Sequence, residues 1–401
     1  MKESSRNRIS ERAENLAPSG IRKFFDLIMG MDDVISLGVG EPDFATPWRI
    51  REAAIHAVEK GHTHYTSNYG LLELREKIAE SLAARYNVAY EPAGQMLITV
   101  GVSQGLDLAM RALLDPGDEV IIPEPTYVSY VPCVLLAGGV PVPVPTTEGD
   151  DFRVRASTIE PHLTSRTKAI MIGYPNNPTG AVLEREDLDG IADLARRHDL
   201  LVVSDEVYDR LTYDEYEHLC FSSLDGAQDR TVLLGGFSKD YAMTGWRVGY
   251  AAAPEEIIEA MMKVHQYTMM CAPTMSQMAA LEALEAGEGE VEAMVSEYDR
   301  RRRILVKGLN DIGLPCFMPK GAFYTFPSIK AAGMSSEEFA EGLLKEERVA
   351  VVPGSAFGAS GEGHVRCCYA VSLAEIEEAL ERMARFVKKH QRQEAPAARR
   401  A

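Results

Sequence analysis

Short, uniformly apolar runs alternate with amphipathic stripes along most of the chain. "QMLITVG", "DEVIIP", "TKAIMIGY", "DLLVVSDE", "RTVLLGG" and "WRVGYAA" are too short for buried helices and are bounded by polar or glycine-rich turns, so they read as buried strands. Helical patterns separate most of them. "PWRIREAAIHAVEKG" opens on Pro47, stops at Gly61 and puts Ile50, Ala53, Ala54, Ala57 and Val58 on one stripe; "SQGLDLAMRALL" and "REDLDGIADLARRHD" read alike. Apolar strands alternating with helices predict an α/β unit of three layers, a mainly parallel sheet covered on both faces. From about residue 290 the pattern changes to long helices, "VEAMVSEYDRRRRILVKGLNDIG" and "SLAEIEEALERMARFVKKHQ", around the short strands "RVAVVP" and "HVRCCYA". That predicts a smaller α+β unit completed by the N-terminal segment, with a cleft between the two. The expected division is an arm over 1–45 that forms part of the small unit, a large unit over 46–288, a small one over 289–391 and a disordered tail over 392–401.

Composition narrows the classes. The 401 residues are 46% hydrophobic and 25% charged, as in soluble globular proteins. No apolar run reaches the ~18 residues that would cross a bilayer, and the first twenty residues carry no apolar signal core, so a cytoplasmic, membrane-free protein is expected. A net charge of −18 argues against nucleic acid as a partner. The six cysteines lack a C-x-x-C spacing, which suggests neither a metal site nor a disulfide framework. The basic run "DRRRR", Asp299 to Arg303, sits in a helical pattern and reads as a solvated face.

Four features follow strand ends, the rim where such sheets bind ligands. "GVSQG", Gly101 to Gly105, is either a helix cap or a phosphate cradle built on the helix start at Ser103. "YPNNPTG", Tyr174 to Gly180, is a rigid polar turn, structural or ligand-binding. "VVSDEVY" ends a buried strand with Asp205 and Glu206, then Tyr208; a carboxylate there needs a partner, or else caps a helix. "GGFSKDYAMTGWRVGY" holds Lys239 eight residues before Arg247. A desolvated lysine forms an imine with an aldehyde, and an arginine holds phosphate by forked hydrogen bonds. A lysine Schiff base, an acid for a ring nitrogen and a phosphate cradle together point to pyridoxal phosphate.

In this ordered set, from "SLGVGEPDF" at Ser36 to "HVRCCYA" at His364, the chain resembles the class I and II aminotransferases, pyridoxal 5'-phosphate enzymes of fold type I, and is most similar to their aspartate and aromatic branch. The resemblance implies that Lys239 forms the internal aldimine and shuttles the substrate α-proton. It implies that Asp205 bonds the ring nitrogen, and that Tyr208 and Asn177 bond the phenolic oxygen. Arg247, Ser238 and the backbone at Val102 and Ser103 would grip the phosphate, with Tyr65 of "THYTSNYG" reaching in from a partner subunit, which makes a homodimer the expected assembly. Tyr127 would stack on the ring, and Arg366, with Gly40, would take the substrate carboxylate. Two departures stand out. Gly236 occupies a place where many relatives carry a phosphate-binding serine. Asp240 follows the lysine directly, where it would either raise the imine pKa or point to solvent.

The substrates implied are amino acids and 2-oxo acids. The side-chain pocket is expected from Ile21 of "PSGIRKFF" and from "HQYTMMCAP" around Tyr267, a mostly apolar set that favours an aromatic or large apolar amino acid, with aspartate as the alternative if Arg22 or Lys23 takes part. The expected second pair is glutamate and 2-oxoglutarate. Carbon–sulfur lyases and decarboxylases resemble the same scaffold; a non-enzymatic, ligand-sensing regulator does too, but would need a DNA-binding domain ahead of "SLGVGEPDF".

Overall fold

Seven strands form the central sheet of the computed structural model, which describes residues 8–14, 16–18, 20, 28 and 30–391. In chain order the strands are β1 (Ile35–Ser36), β2 (Met96–Thr99), β3 (Glu119–Glu124), β4 (Val140–Pro145), β5 (Thr167–Gly173), β6 (Leu201–Asp205), β7 (Thr231–Gly236), β8 (Gly249–Ala252), β9 (Tyr324–Thr325), β10 (Val349–Ala350), β11 (Val352–Pro353) and β12 (Val365–Cys368). The large sheet runs β2-β8-β7-β6-β5-β3-β4. Every neighbouring pair is parallel except those of β8, which is antiparallel to both β2 and β7. Successive side chains go to opposite faces and helices cover both, which is why the strands carry no polar alternation. Met171 and Val203 pack with Leu106 and Met261 of the helices Val102–Leu113 and Glu255–Thr268. Ile170, Ile172 and Val202 pack on the other face with Leu188 and Ile191 of the helix Arg185–Arg197.

Two patterns turn out otherwise than the sequence suggests. β4, "VPVPVP", is a strand that the prolines conceal. It lies at the sheet edge, where the Val140 N–H donates inward to Asp118 and the alternate positions, Pro141, Pro143 and Pro145, face outward and need no N–H. Val58, placed on the apolar stripe of the helix Trp48–Glu59, is exposed, while Ile50, Ala54 and Ala57 are buried.

The C-terminal region joins the N-terminal segment. β1 pairs parallel with β10, and the Leu37 carbonyl accepts from Cys368 N at 2.7 Å. β11, β12 and β9 form an antiparallel sheet under the helices Glu288–Asp311, Ser336–Glu347 and Leu373–Gln391. The "DRRRR" run is only half solvated. Arg300 and Arg303 are exposed, but Arg301 and Arg302 are buried. Burial of a guanidinium demands partners: Arg301 donates to both oxygens of Asp43 at 2.9 Å, and Arg302 pairs with Asp299 and Asp214. Arg301 thus ties the "GEPDF" loop to the long helix.

Candidate active site

A cavity of about 520 Å³ opens at the carboxyl ends of the parallel strands. Because β8 runs against its neighbours, its beginning also lies on this rim, which places Arg247 beside the loops that follow β2 and β7. Gly40, Val102, Ser103, Tyr127, Asn177, Asp205, Tyr208, Ser238, Lys239, Arg247 and Arg366 all line the cavity. Tyr65 does not, and neither does Tyr267, expected in the side-chain pocket; they are 81% and 87% exposed. Ile21, with Arg22 and Lys23, lies outside the described residues.

The Lys239 amine donates to the Gly40 carbonyl at 2.8 Å. Burial lowers its pKa to about 8, opposed in part by Cys368 and reinforced by the positive charge of Arg366, so a usable fraction is unprotonated near neutrality. Asp205, at the end of β6, accepts from the Tyr130 hydroxyl at 2.9 Å and from Val207 N at 3.3 Å. Burial raises its carboxyl to about 6, against the lowering effect of these two donors. Its neighbour Glu206 points elsewhere and is satisfied by Ser204, Phe221 N and His218. The acid pair of the sequence therefore divides into one group at the cavity and one in the wall behind it.

The two asparagines divide in the same way. Asn176 holds the turn through Gly173 and Thr179, whereas Asn177 accepts from Arg366 Nη1 at 2.8 Å. Arg366 Nη2 donates to Gly38 O at 2.6 Å, and its buried Nε has no partner among the described residues. The guanidinium lies between the rings of Tyr324 and Phe357. The Tyr208 hydroxyl meets that of Tyr324 at 2.8 Å, and burial holds its pKa far above the usual range.

Several lining residues carried no sequence signal. Tyr130, Tyr324, Glu41 and Thr244 share the cavity. Tyr130 stands three residues after Tyr127 and meets it edge to face at 5.6 Å. It reaches Asp205 because Gly173 has no side chain: a Cβ there would collide with the tyrosine hydroxyl. The departure at Gly236 also has a steric reason. A Cβ would lie 2.9 Å from Val102 Cγ2, so a side chain larger than glycine would press on the loop after β2. Asp240 does not point to solvent. It is 3% exposed and lines a separate cavity of about 30 Å³ with Asp209, Arg85 and Tyr86. Burial and the Asp209 carboxylate push its pKa well above the aspartate range, against Arg210 and Arg85.

The aminotransferase class I and II family matches residues 32–383. The chain belongs to that family. It is 55% identical over 381 residues to a putative aminotransferase, YugH, of Bacillus subtilis (strain 168), covering 95% of this chain and 98% of that protein. It is 50% identical over 382 residues to an aspartate aminotransferase of Pyrococcus abyssi, covering 95% and 98%. Among solved structures it resembles an aromatic aminotransferase from Pyrococcus horikoshii OT3, with a TM-score of 0.88 at 49% identity over 92% of this chain and 99% of that one. The chain is a pyridoxal-phosphate-dependent aminotransferase of fold type I, acting on amino acids and 2-oxo acids. The residues present fit that cofactor: a desolvated amine, a buried carboxyl, an aromatic wall at Tyr127, and Arg247 beside a helix N-terminus share one cavity. Among the described residues no helix is long and apolar enough to cross a membrane, and no cluster suits a metal ion.

Proposed function

We propose that this aminotransferase moves the amino group of an L-amino acid with an aromatic or large apolar side chain to 2-oxoglutarate. The observation that carries the site reading is the grouping of Lys239, Asp205 and the buried Arg366, with its unpartnered Nε, in one cavity. The cofactor, when bound, supplies an aldehyde that exchanges amino groups and a ring that spreads the electron pair left by the departing α-proton. Lys239 Nζ, with its lowered pKa, takes that proton and returns it. The Asp205 carboxylate holds a proton on the ring nitrogen. Tyr208 and Asn177 donate to the ring oxygen. Arg247, Ser238 and the N–H groups of Val102 and Ser103 hold the phosphate. Arg366 takes the substrate carboxylate as a forked pair, with the Gly40 backbone beside it.

The substrate preference is supported by the side chains of Tyr127, Tyr324 and Leu106 in the lining. The aspartate reading is favoured by the name of the Pyrococcus abyssi relative. The same proposal includes a homodimer, in which Tyr65 and Tyr267, 81% and 87% exposed, meet a second copy and Tyr65 completes the partner's phosphate site. It also includes a large unit over 46–288 and a small one over 289–391 joined by the N-terminal strand, supported by the pairing of Ile35–Ser36 with Val349–Ala350.

A half-reaction screen tests the substrate. Each amino acid is mixed with the holoenzyme, and conversion of the cofactor to its amine form is followed by absorbance. Phenylalanine, tyrosine and glutamate are expected to convert it; conversion by aspartate but not by aromatic acids selects the second reading. Release of ammonia and pyruvate from cysteine-type substrates without amino transfer would overturn both.

A further inference from the structure

The loop after β2 is held from behind by a side chain that no part of the reaction uses. Gln104, on the first turn of the helix Val102–Leu113, turns its Oε1 back to accept the Val100 N–H at 2.7 Å. Gln104 thereby plays the backward-reaching half of a capping box, one residue before the N-cap Gly101. Since Oε1 is fixed as acceptor, the amide NH2 is fixed as donor. Its partner is Nδ1 of His265, at 2.9 Å. Nδ1 must then be the unprotonated nitrogen, and the proton belongs on Nε2, which is buried and meets no partner among the described residues.

His265 is 0% exposed on the helix Glu255–Thr268. No charged group counters its burial. The nearby charges of the two packed helices pair with each other, Arg111 with Asp107 and Lys263 with Glu259, while Glu255 and Glu256 stand at the far end of their helix. Burial alone bears on the imidazole and favours its neutral form. Its carbonyl also closes the helix, accepting from Met269 N and Met270 N.

On the reading that Val102, Ser103 and Arg247 hold the cofactor phosphate, we propose that neutral His265 is a positioning residue for the phosphate cradle, acting through Gln104 on Val100. Protonation would put an N–H on Nδ1 facing the NH2 of Gln104, two donors with no acceptor between them. The amide would have to turn over, and Val100 N–H would lose its acceptor. The Gly101 backbone, against which the Arg247 guanidinium packs, moves with it. The cradle is therefore locked when the imidazole is neutral and released when it is charged.

The test compares cofactor binding by the stripped wild-type protein, His265→Phe and Gln104→Glu across pH 5 to 9, with inorganic phosphate as a competing probe. The phosphate group's own titration is common to all three. Wild-type affinity is expected to fall as pH drops through the depressed imidazole pKa, beyond that common change. His265→Phe is expected to bind about tenfold more weakly at neutral pH, the loss of one buried hydrogen bond, and to lack the extra acid limb. In Gln104→Glu the carboxylate accepts from Val100 and from a protonated His265, so relative affinity is expected to rise towards acid pH. Nitrogen-detected NMR of the wild-type imidazole is expected to show the proton on Nε2. A proton on Nδ1 at neutral pH, or an unchanged acid limb in His265→Phe, would overturn the proposal. If His265→Phe fails to fold, the NMR result and Gln104→Glu decide. A wild-type protein that binds no pyridoxal phosphate at any pH refutes the site reading itself, which is a different outcome.

Discussion

Asp205 and Asp240 are both buried acids near Lys239, and burial raises both pKa values, yet they sit in different surroundings. Asp205 borders a cavity of about 520 Å³, receives two hydrogen bonds and faces the amine. Asp240 borders about 30 Å³, shares it with Asp209, and leaves Oδ1 without a partner among the described residues. The Tyr86 hydroxyl donates to Asp209 Oδ2 at 2.5 Å, and Arg210 is drawn off to Tyr241 and Glu288. A perturbed acid is thus a weak marker of function when taken alone. What separates the two is access to a ligand and a donor set that stabilises the charged form in front but not behind.

Breaking the front region is expected to do the most damage. On its proposed role, Lys239→Ala removes the base and the covalent anchor together; transamination is expected to fall by about 10⁴-fold or more, with loss of the visible cofactor absorbance, as measured by steady-state assay and spectroscopy. Asp205→Asn keeps the shape and removes the charge; a fall in kcat of about 10²- to 10⁴-fold is expected, with the substrate KM much less affected. Arg366→Lys exchanges a fork for a point charge and is expected to raise KM for the amino acid by about tenfold or more, which substrate titration will show. In the stripped protein, reaction of Lys239 with an amine-modifying reagent should rise through pH about 8, the value burial sets, rather than near the ~10.4 of an ordinary lysine.

The back region is expected to respond in stability, not in rate. A carboxyl whose pKa is higher folded than unfolded holds more protons in the native state, so stability present at acid pH declines as pH rises from the ordinary aspartate range towards the raised value. Asp240→Asn mimics the protonated acid and should flatten that decline in denaturation curves taken at several pH values, leaving kcat within about twofold of wild type, a change below ~0.5 kcal/mol. A large drop in kcat for Asp240→Asn would erase the contrast between the two acids.

Much of the front region was legible because its residues are chemically conspicuous and lie just after apolar strands. Lys239 amid glycines and Asp205 ending "VVSD" stood out by type and position, whereas Arg366 in "HVRCCYA" came only from the family resemblance. Tyr130 did not stand out, since a tyrosine at helical spacing from another is ordinary; its role depends on the gap left by Gly173. Gln104 and His265 are 161 residues apart, and nothing local links them. In the fold, β4 was hidden by prolines that an interior strand could not hold, and the burial of Arg301 and Arg302 depended on Asp43 and Asp214, partners far off along the chain, as well as on the nearby Asp299.

The reversed direction of β8 has a consequence for how the site is assembled. Lys239 and Arg247 belong to one short connection between β7 and β8, so bringing them together closes a small loop. Arg366 meets Gly38 across 328 residues of chain. Loop-closure entropy grows with the logarithm of length, so the first contact is the less demanding one, and it can form as soon as the central sheet does. On the roles proposed for Arg247 and Arg366, the phosphate end of the pocket can therefore be in place before the carboxylate end exists. As the chain leaves the ribosome, the grip on the cofactor can precede the grip on the substrate.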